Sequence, residues 1–347
     1  MKKKLLLSSP TGAPGPMTAL RNHQSILASH FDVDLIPLED LVLPTYLQAK
    51  AYRTLLYKVC KRARFVLSVD EIAPYGDNVI FGTFHPVHES IVKKLNRLNI
   101  RPSFMWCSTF GQMELTPLEM QLFMRLVELV KRGNIKHLFL HRRLFNSIGH
   151  FVKEVHLLPH SIDLVPYKDL QKLEMDGFNV DLFCRPRPGK NILSQIAGFK
   201  MADVGGRLHI NFDIKQFRGI VEEIASDVIQ HKWIPEGEYL RLIAGMRLSL
   251  QVTIGESFNY AVCERMGLGV PVLTTKDIYL IAEDHFLAKH LCVEAPDTPS
   301  AIAGAIRNIS CDQRLRTDIA EACRLRIAAV AKENNRLVVD RLKQCFA

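Results

Sequence analysis

The run TIGESFNYAVCERMGLGVPVLTT, Thr253 to Thr275, follows one apolar stretch, Leu248–Val252, and leads into another, Val270–Thr274. An apolar run, a helical segment and a second apolar run in so short a span describe a parallel β/α/β crossover. Gly267 and Gly269 are expected to close the helix, and Pro271 to open the next strand. Two carboxylates, Glu256 and Glu264, flank a seven-residue spacer. With Glu256 in the loop and Glu264 two turns along the helix, both can reach the same cleft at opposite ends of an elongated ligand. The amides of Ser257, Phe258, Asn259 and Tyr260, at the helix N-terminus, would point at an anion between them. Taken alone, the same pattern also fits a helix carrying two solvated acids.

A second segment bears on the choice. NVDLFCRPRPGKNILSQIAGFK, Asn179 to Lys200, reads as a strand, a Pro/Gly turn and an amphipathic helix. Its turn carries Arg185 and Lys190 five positions apart, with Arg187 between them read as a solvated turn residue. Fixed cations in a dry site hold a diphosphate and the charge that grows on it as a bond to it breaks.

Outward from these two segments, short apolar runs alternate with amphipathic ones along all 347 residues, the pattern of an α/β protein with helices on both faces of parallel sheets. Strands are expected in the first half at Lys4–Ser8, Val33–Pro37, Phe65–Val69, Asn78–Thr83, Ser103–Cys107, His137–Leu140 and Val155–Pro159. In the second half they are expected at Asn179–Cys184, Leu208–Phe212, Val228–Lys232, Leu248–Val252 and Val270–Thr274. The polar, irregular passage from Pro159 to Glu174 reads as a linker. The length suits two domains: residues 1–164, residues 165–325, and a final helix, 326–347, expected to pack back toward the first domain.

The E-x7-E pattern with the following GxPV resembles the signature of family 4 retaining glycosyltransferases, within the glycogen synthase/glycogen phosphorylase-like superfamily. The family's GR-x4-KG or KN is matched at Arg185, Lys190 and Asn191, with Cys184 in place of its glycine. LLPHSIDLVPY, Leu157–Tyr167, is similar to the family's "iPNGiD", and HKWIPEGEYLRLIAGMRLSLQV, His231–Val252, to the stretch that contacts the nucleobase. The resemblance implies a GT-B fold, two Rossmann-like domains facing a central cleft. It implies that Glu264 holds the ribose hydroxyls, that Glu256 approaches the transferred sugar, and that Arg185 and Lys190 hold the diphosphate. It also places Trp233 and Ile234, with Lys232, near the base. The expected reaction is retaining transfer of a sugar from a UDP- or GDP-sugar to a glycan, lipid-linked or other hydroxyl acceptor, as in cell-envelope or glycoconjugate synthesis. In such enzymes the departing phosphate takes the acceptor proton, so neither cofactor nor metal is expected.

On the acceptor side, SSPTGAPGPMTAL, Ser8–Leu20, is not a dinucleotide fingerprint. By the resemblance its Gly12 and Gly15 let backbone approach donor phosphates and acceptor; an ordinary strand-to-helix turn is the other reading. FGTFHPVHES puts His85 at a strand end, where α/β sheets place ligands, and His88 at a helix start. A metal reading of that pair lacks a third ligand. Many family members have a histidine after the Phe104 strand, where this chain has Cys107 and Ser108, so either His85 takes over some of its task or no imidazole is needed. Asp32-Val33-Asp34 imitates a metal-binding DxD, but falls in an expected strand.

The net charge of +9 is uneven, with 21 Lys+Arg against 13 Asp+Glu in residues 1–164. Such a field serves solubility or draws an anionic partner. Gln48–Arg64, QAKAYRTLLYKVCKRAR, draws as a helix with a basic and an apolar side, which suits contact with an anionic membrane surface and equally suits packing of the apolar side on the sheet. No basic and aromatic module for nucleic acid occurs. Hydrophobic residues at 48% and charged ones at 23% exclude a disordered or fibrous chain. The eight scattered cysteines form no CxxC pair, against a disulfide framework or zinc ribbon. The three leucines of Met1–Leu7 are too short for a signal peptide, and a cytoplasmic protein, resting on the inner membrane face, is expected. The alternatives are epimerisation or phosphorolysis on the same fold, a non-catalytic glycosyltransferase-like subunit, and transfer to a nucleic-acid acceptor.

Overall fold

The computed structural model describes residues 2–12, 14–42, 69–187, 189–214, 227–256 and 258–346. The chain divides into two units, one of Met1–Asp163 with Glu333–Ala347 and one of Leu164–Lys332.

The first unit is built on β1 (Lys4–Ser9), β2 (Asp32–Pro37), β3 (Val79–Phe81), β4 (Ser103–Trp106), β5 (Leu138–Leu140) and β6 (Val155–Leu157). They form one parallel sheet in the order β2-β1-β3-β4-β5-β6. Leu5, Leu6 and Leu7 in β1 are fully buried, as expected of a strand covered on both faces. The helices that cover the sheet begin where the chemistry says they should. Pro86–Asn96 starts with Pro at its first position and buries Val87, His88, Ile91, Val92 and Leu95 at helical spacing. Pro117–Lys131 repeats the device and buries Phe123, Leu126, Leu129 and Val130. Of the expected strand Phe65–Val69, residues 65–68 lie outside the described residues, and Val69 opens a short helix, Val69–Ile72. The basic segment Gln48–Arg64 also lies outside them.

The second unit holds β7 (Asn179–Leu182), β8 (Arg207–Ile210), β9 (Val228–Gln230), β10 (Leu248–Leu250) and β11 (Val272–Leu273), all parallel in the order β11-β10-β7-β8-β9. Numbered within the unit this is 3-2-1-4-5 read from the other edge, the Rossmann arrangement. Its helices include α1 (Ile192–Ala202), α2 (Tyr260–Leu268), α3 (Pro299–Cys311) and α4 (Gln313–Phe346). The residues of α4 from Glu333 on belong to the first unit, where Asn335 exchanges two hydrogen bonds of 2.9 Å with the backbone of Ile162.

Geometry requires glycine at several positions. A Cβ on Gly198 of α1 would stand 2.8 Å from Ile302 of α3. Gly269 ends α2 in the left-handed conformation, φ +71°. Gly267, expected to help close that helix, lies inside it, where a Cβ would meet the Tyr167 ring at 2.6 Å.

Candidate functional site

Ligands of open α/β sheets sit beyond the strand carboxyl ends where the order reverses. In the second unit that point lies between β7 and β10, which are neighbours. The loops after them are the two segments singled out from sequence.

Hydrogen bonds of side chains and backbone join the two loops. Gln195 of α1 is fully buried; its amide donates to the Lys190 carbonyl at 2.7 Å and accepts from the Val252 amide at 2.8 Å. The Gln251 side chain donates to the Phe183 carbonyl at 3.0 Å, and the Ile254 amide to that of Gly189 at 2.7 Å. Gly255 takes φ +81°, a conformation that favours glycine.

At the centre is Glu256, 4% exposed. Its Oε1 accepts from Lys190 Nζ at 2.7 Å and from Arg187 Nη2 at 2.5 Å; its Oε2 accepts from Asn259 Nδ2 at 3.0 Å and Thr253 Oγ1 at 3.4 Å. Burial works to raise the Glu256 carboxyl, but the Lys190 and Arg187 charges outweigh it and leave its pKa lowered. Lys190 is itself buried, whereas the Arg187 side chain is half-exposed. Of the two arginines in the turn, Arg187 pairs with Glu256, and Arg185 is an exposed residue of the same loop. Asn259 is the N-cap of α2, accepting from the Ala261 amide at 2.9 Å. Phe258 packs edge-on to Tyr260 with centroids 4.9 Å apart. Ser257 lies outside the described residues.

Glu264 sits in the second turn of α2. Its Oε2 accepts from Tyr239 Oη at 3.0 Å and Arg265 Nη1 at 2.8 Å, and burial leads the forces that raise its pKa. Tyr239, Phe183, Asn211, Lys232, Trp233 and Ile234 line a pocket of about 250 Å³, so the expected base contacts and the expected ribose carboxylate meet through Tyr239. Trp233 is 86% exposed, which leaves a ring face open to stacking rather than spent on the core. Beneath lies a pair the sequence reading missed: Arg265 and Asp181 of β7, both fully buried and bonded at 2.7 Å. Arg265 also donates to Tyr239 Oη at 2.7 Å and so holds the pocket wall against Glu264. Asp181, an acid between the apolar Val180 and Leu182 of β7, was the signal available.

In the first unit the order reverses between β1 and β3, and the loops there carry Gly12 and His85. Gly12 and Gly15 are exposed, and a Cβ on either would meet nothing within 4 Å; no protein neighbour demands glycine at either place. The Thr11 amide donates to the Glu39 carboxylate at 3.0 Å. Burial lowers the His85 pKa, and the charge of the same Glu39 opposes that shift. His88 is a core and capping residue, accepting from the His85 amide at 2.8 Å and packing among Phe81, Phe84 and Phe104. Beside the Cys107 and Ser108 region stands an imidazole that the sequence reading did not single out. His141, directly after β5, lies with Nε2 3.3 Å from the Ser108 carbonyl and stacks on His160. Burial pushes its pKa down to about 4.

No protein-family model and no curated protein matches the sequence. Solved structures do. Sucrose-phosphate synthase from Thermosynechococcus elongatus superposes with a TM-score of 0.74 at 15% identity, covering 99% of each chain. Anabaena HepE, in complex with UDP and glucose, gives 0.71 at 15% identity over 99% of this chain and 100% of its own. A glycosyltransferase from Rickettsia africae gives 0.66 at 10% identity over 99% and 98%. The fold is therefore that of the GT-B glycosyltransferases, with two parallel α/β units.

Proposed function

We propose that the protein is a retaining glycosyltransferase, related to family 4, that moves a sugar from a nucleotide-sugar donor held by the second unit to a hydroxyl acceptor held by the first. The observation that carries this reading is the Lys190–Glu256–Arg187 cluster at the strand-order reversal of the second unit. Anabaena HepE has been solved with UDP and glucose and with UDP-glucose, which favours a UDP-sugar over a GDP-sugar here.

Each side chain then has a task. Lys190, held by Glu256, and the two arginines of its turn, Arg185 and Arg187, take up the charge that grows on the leaving diphosphate. The amides at the start of α2, from Ser257 to Tyr260, add donors without needing a counter-ion. Glu256 Oε2, with Asn259 beside it, faces hydroxyls of the transferred sugar. Both hydrogen bonds to Glu264 end on Oε2, so its Oε1 serves the ribose hydroxyls. The base stacks on Trp233 and lies along Ile234 and Tyr239. In the first unit, Gly12 and Gly15 give the donor phosphates and the acceptor access to backbone, and His85 orients the acceptor hydroxyl. Position and charge perform the reaction, and the leaving phosphate takes the acceptor proton, so no metal is needed in this step. The acceptor is a glycan or a lipid-linked carrier reached by way of Gln48–Arg64 at an anionic membrane surface.

Incubation with labelled UDP- and GDP-sugars, a panel of glycan and lipid-linked acceptors and no added divalent metal tests this. Transfer with the donor's anomeric configuration preserved is expected. Nucleotide binding with neither transfer nor donor hydrolysis would instead identify a non-catalytic subunit, and an inverted product would remove the retaining mechanism.

A further inference from the structure

Among the described residues, one group of His, Cys, Asp and Glu side chains converges as metal ligands do, and it lies in the first unit. The register of β5 and β6 sets Phe139 beside His156. Because strand residues alternate between faces, His137, Phe139 and His156 share one face of the sheet. Leu138, Leu140 and Val155 turn into the hydrophobic core on the other. The end of α4 covers the first face: the Phe346 ring lies 5.7 Å from that of His137 and 6.2 Å from that of Phe139. This brings Cys345 beside the two histidines, and one ligand atom from each of the three lies within 4.8 Å of the others.

The hydrogen bonds fix which nitrogens are available. His137 Nε2 is 3.3 Å from the Cys345 carbonyl oxygen. A carbonyl only accepts, so Nε2 carries the hydrogen and Nδ1 presents a lone pair. That lone pair faces His156 Nε2 at 3.0 Å, and one hydrogen is shared between the two rings. A metal-bound histidine characteristically donates its second N–H to a backbone carbonyl, and His137 already does.

We propose that His137 Nδ1, His156 Nε2 and Cys345 Sγ form a binding site for Zn²⁺, with water in the fourth position, that fastens the last turn of α4 to the edge of the sheet. Two imidazoles and a thiolate suit Zn²⁺ and disfavour Mg²⁺ or Ca²⁺, which take oxygen ligands. Tetrahedral zinc with bonds of ordinary length holds two nitrogens about 3.3 Å apart and each about 3.6 Å from the sulfur, so the rings must turn their lone pairs from each other toward a common point and Cys345 Sγ must close in on it. On binding, the hydrogen of His156 moves from Nε2 to Nδ1, both imidazoles stay neutral, and the Cys345 thiol releases one proton to solvent. The site is independent of the nucleotide-sugar reading and stands or falls separately.

Co²⁺ added to the reduced full-length protein reads the ligand set directly. One equivalent should bind and give the intense visible bands of a tetrahedral ion with a thiolate-to-cobalt band in the near ultraviolet; excess Zn²⁺ should bleach both and raise the melting temperature. Cys345→Ser should abolish the thiolate band. His137→Ala and His156→Asn should each weaken Zn²⁺ binding by more than the roughly 10- to 100-fold that loss of an outer-shell partner costs. Melting of each variant without metal checks that it folds, and Cys345→Ser, the smallest change, keeps the test valid if a histidine variant does not. Absence of saturable Co²⁺ binding to the wild type overturns the proposal. So does an unchanged spectrum in Cys345→Ser, which would place the ion on other cysteines.

Discussion

Lys190 and Glu256 are both nearly buried and bond at 2.7 Å, so removing either has two consequences that must be separated. Lys190→Ala should lower turnover about 10²- to 10³-fold, the cost of losing one preorganised donor to developing charge. It should also destabilise the fold, because Glu256 then keeps Arg187 alone as its cation. Lys190→Ala combined with Glu256→Gln should recover part of the stability and none of the turnover, as urea midpoints and initial rates would show. The lowered Glu256 pKa has a sign. A carboxyl that ionises more readily folded than unfolded adds stability above its unfolded pKa of 4.5, and that stability is lost as pH falls through the lower folded value. Histidines act at higher pH. Burial depresses His23 from 6.5 to about 4, so the unfolded chain takes the proton first. Stability should be level above pH 6.5 and fall by about 3 kcal/mol on this group's account as pH drops to 4. His23→Gln, measured by urea melts at pH 7 and pH 4.5, should show a smaller loss than the wild type. At this scale the places of Glu256 in its loop, Glu264 in the second turn of α2 and Lys190 in the other loop were legible, because spacing along one loop or helix fixes them, while their roles rest on the resemblance. Arg187 was not, since a turn of two prolines and a glycine does not say which of its arginines points inward. Arg265 was illegible for another reason: its partner, Asp181, is 84 residues away.

Among the elements, the strands and most helices could be read because a buried parallel strand is a short apolar run and a crossover helix an amphipathic one. Boundaries follow local chemistry: Pro117–Lys131 starts on its proline, and the helix expected to start at His88 begins two residues earlier, also on a proline. Where the reading strayed, a distant contact decided. Gly267 stays helical, with the Tyr167 ring where its Cβ would be, and Gly269 in the left-handed conformation ends α2. The position of α1 depends on two residues whose meaning is tertiary. Gln195→Leu should leave the Val252 amide and the Lys190 carbonyl without their partner, at about 1–3 kcal/mol for each buried group stranded, and weaken nucleotide binding by loosening the Lys190 loop. Calorimetry with UDP beside a urea melt measures both. Gly198→Val should push α1 off Ile302 and cost about 1–3 kcal/mol without changing any residue of the proposed donor site.

Over the whole molecule, the two sheets have separate cores and separate strand-order reversals. The alternation of apolar runs made that α/β architecture readable from end to end. The loops proposed to face the acceptor were less so, because His141 and Glu39 reach them from elements whose neighbours the sequence does not state. No described helix is long and apolar enough to cross a membrane. Residues 164–332, expressed alone, should melt cooperatively and still bind a nucleoside diphosphate, since every residue proposed to hold the donor's base, ribose and principal charges lies within them. The most direct measurement is a calorimetric titration of the intact protein and of Lys190→Ala, each checked for folding, with UDP and with GDP. Saturable binding of one nucleotide by the wild type, weakened at least tenfold in the variant, is expected if the cluster around Glu256 holds the diphosphate. Equal affinity in the two proteins, or no binding of either nucleotide to the wild type, would contradict it.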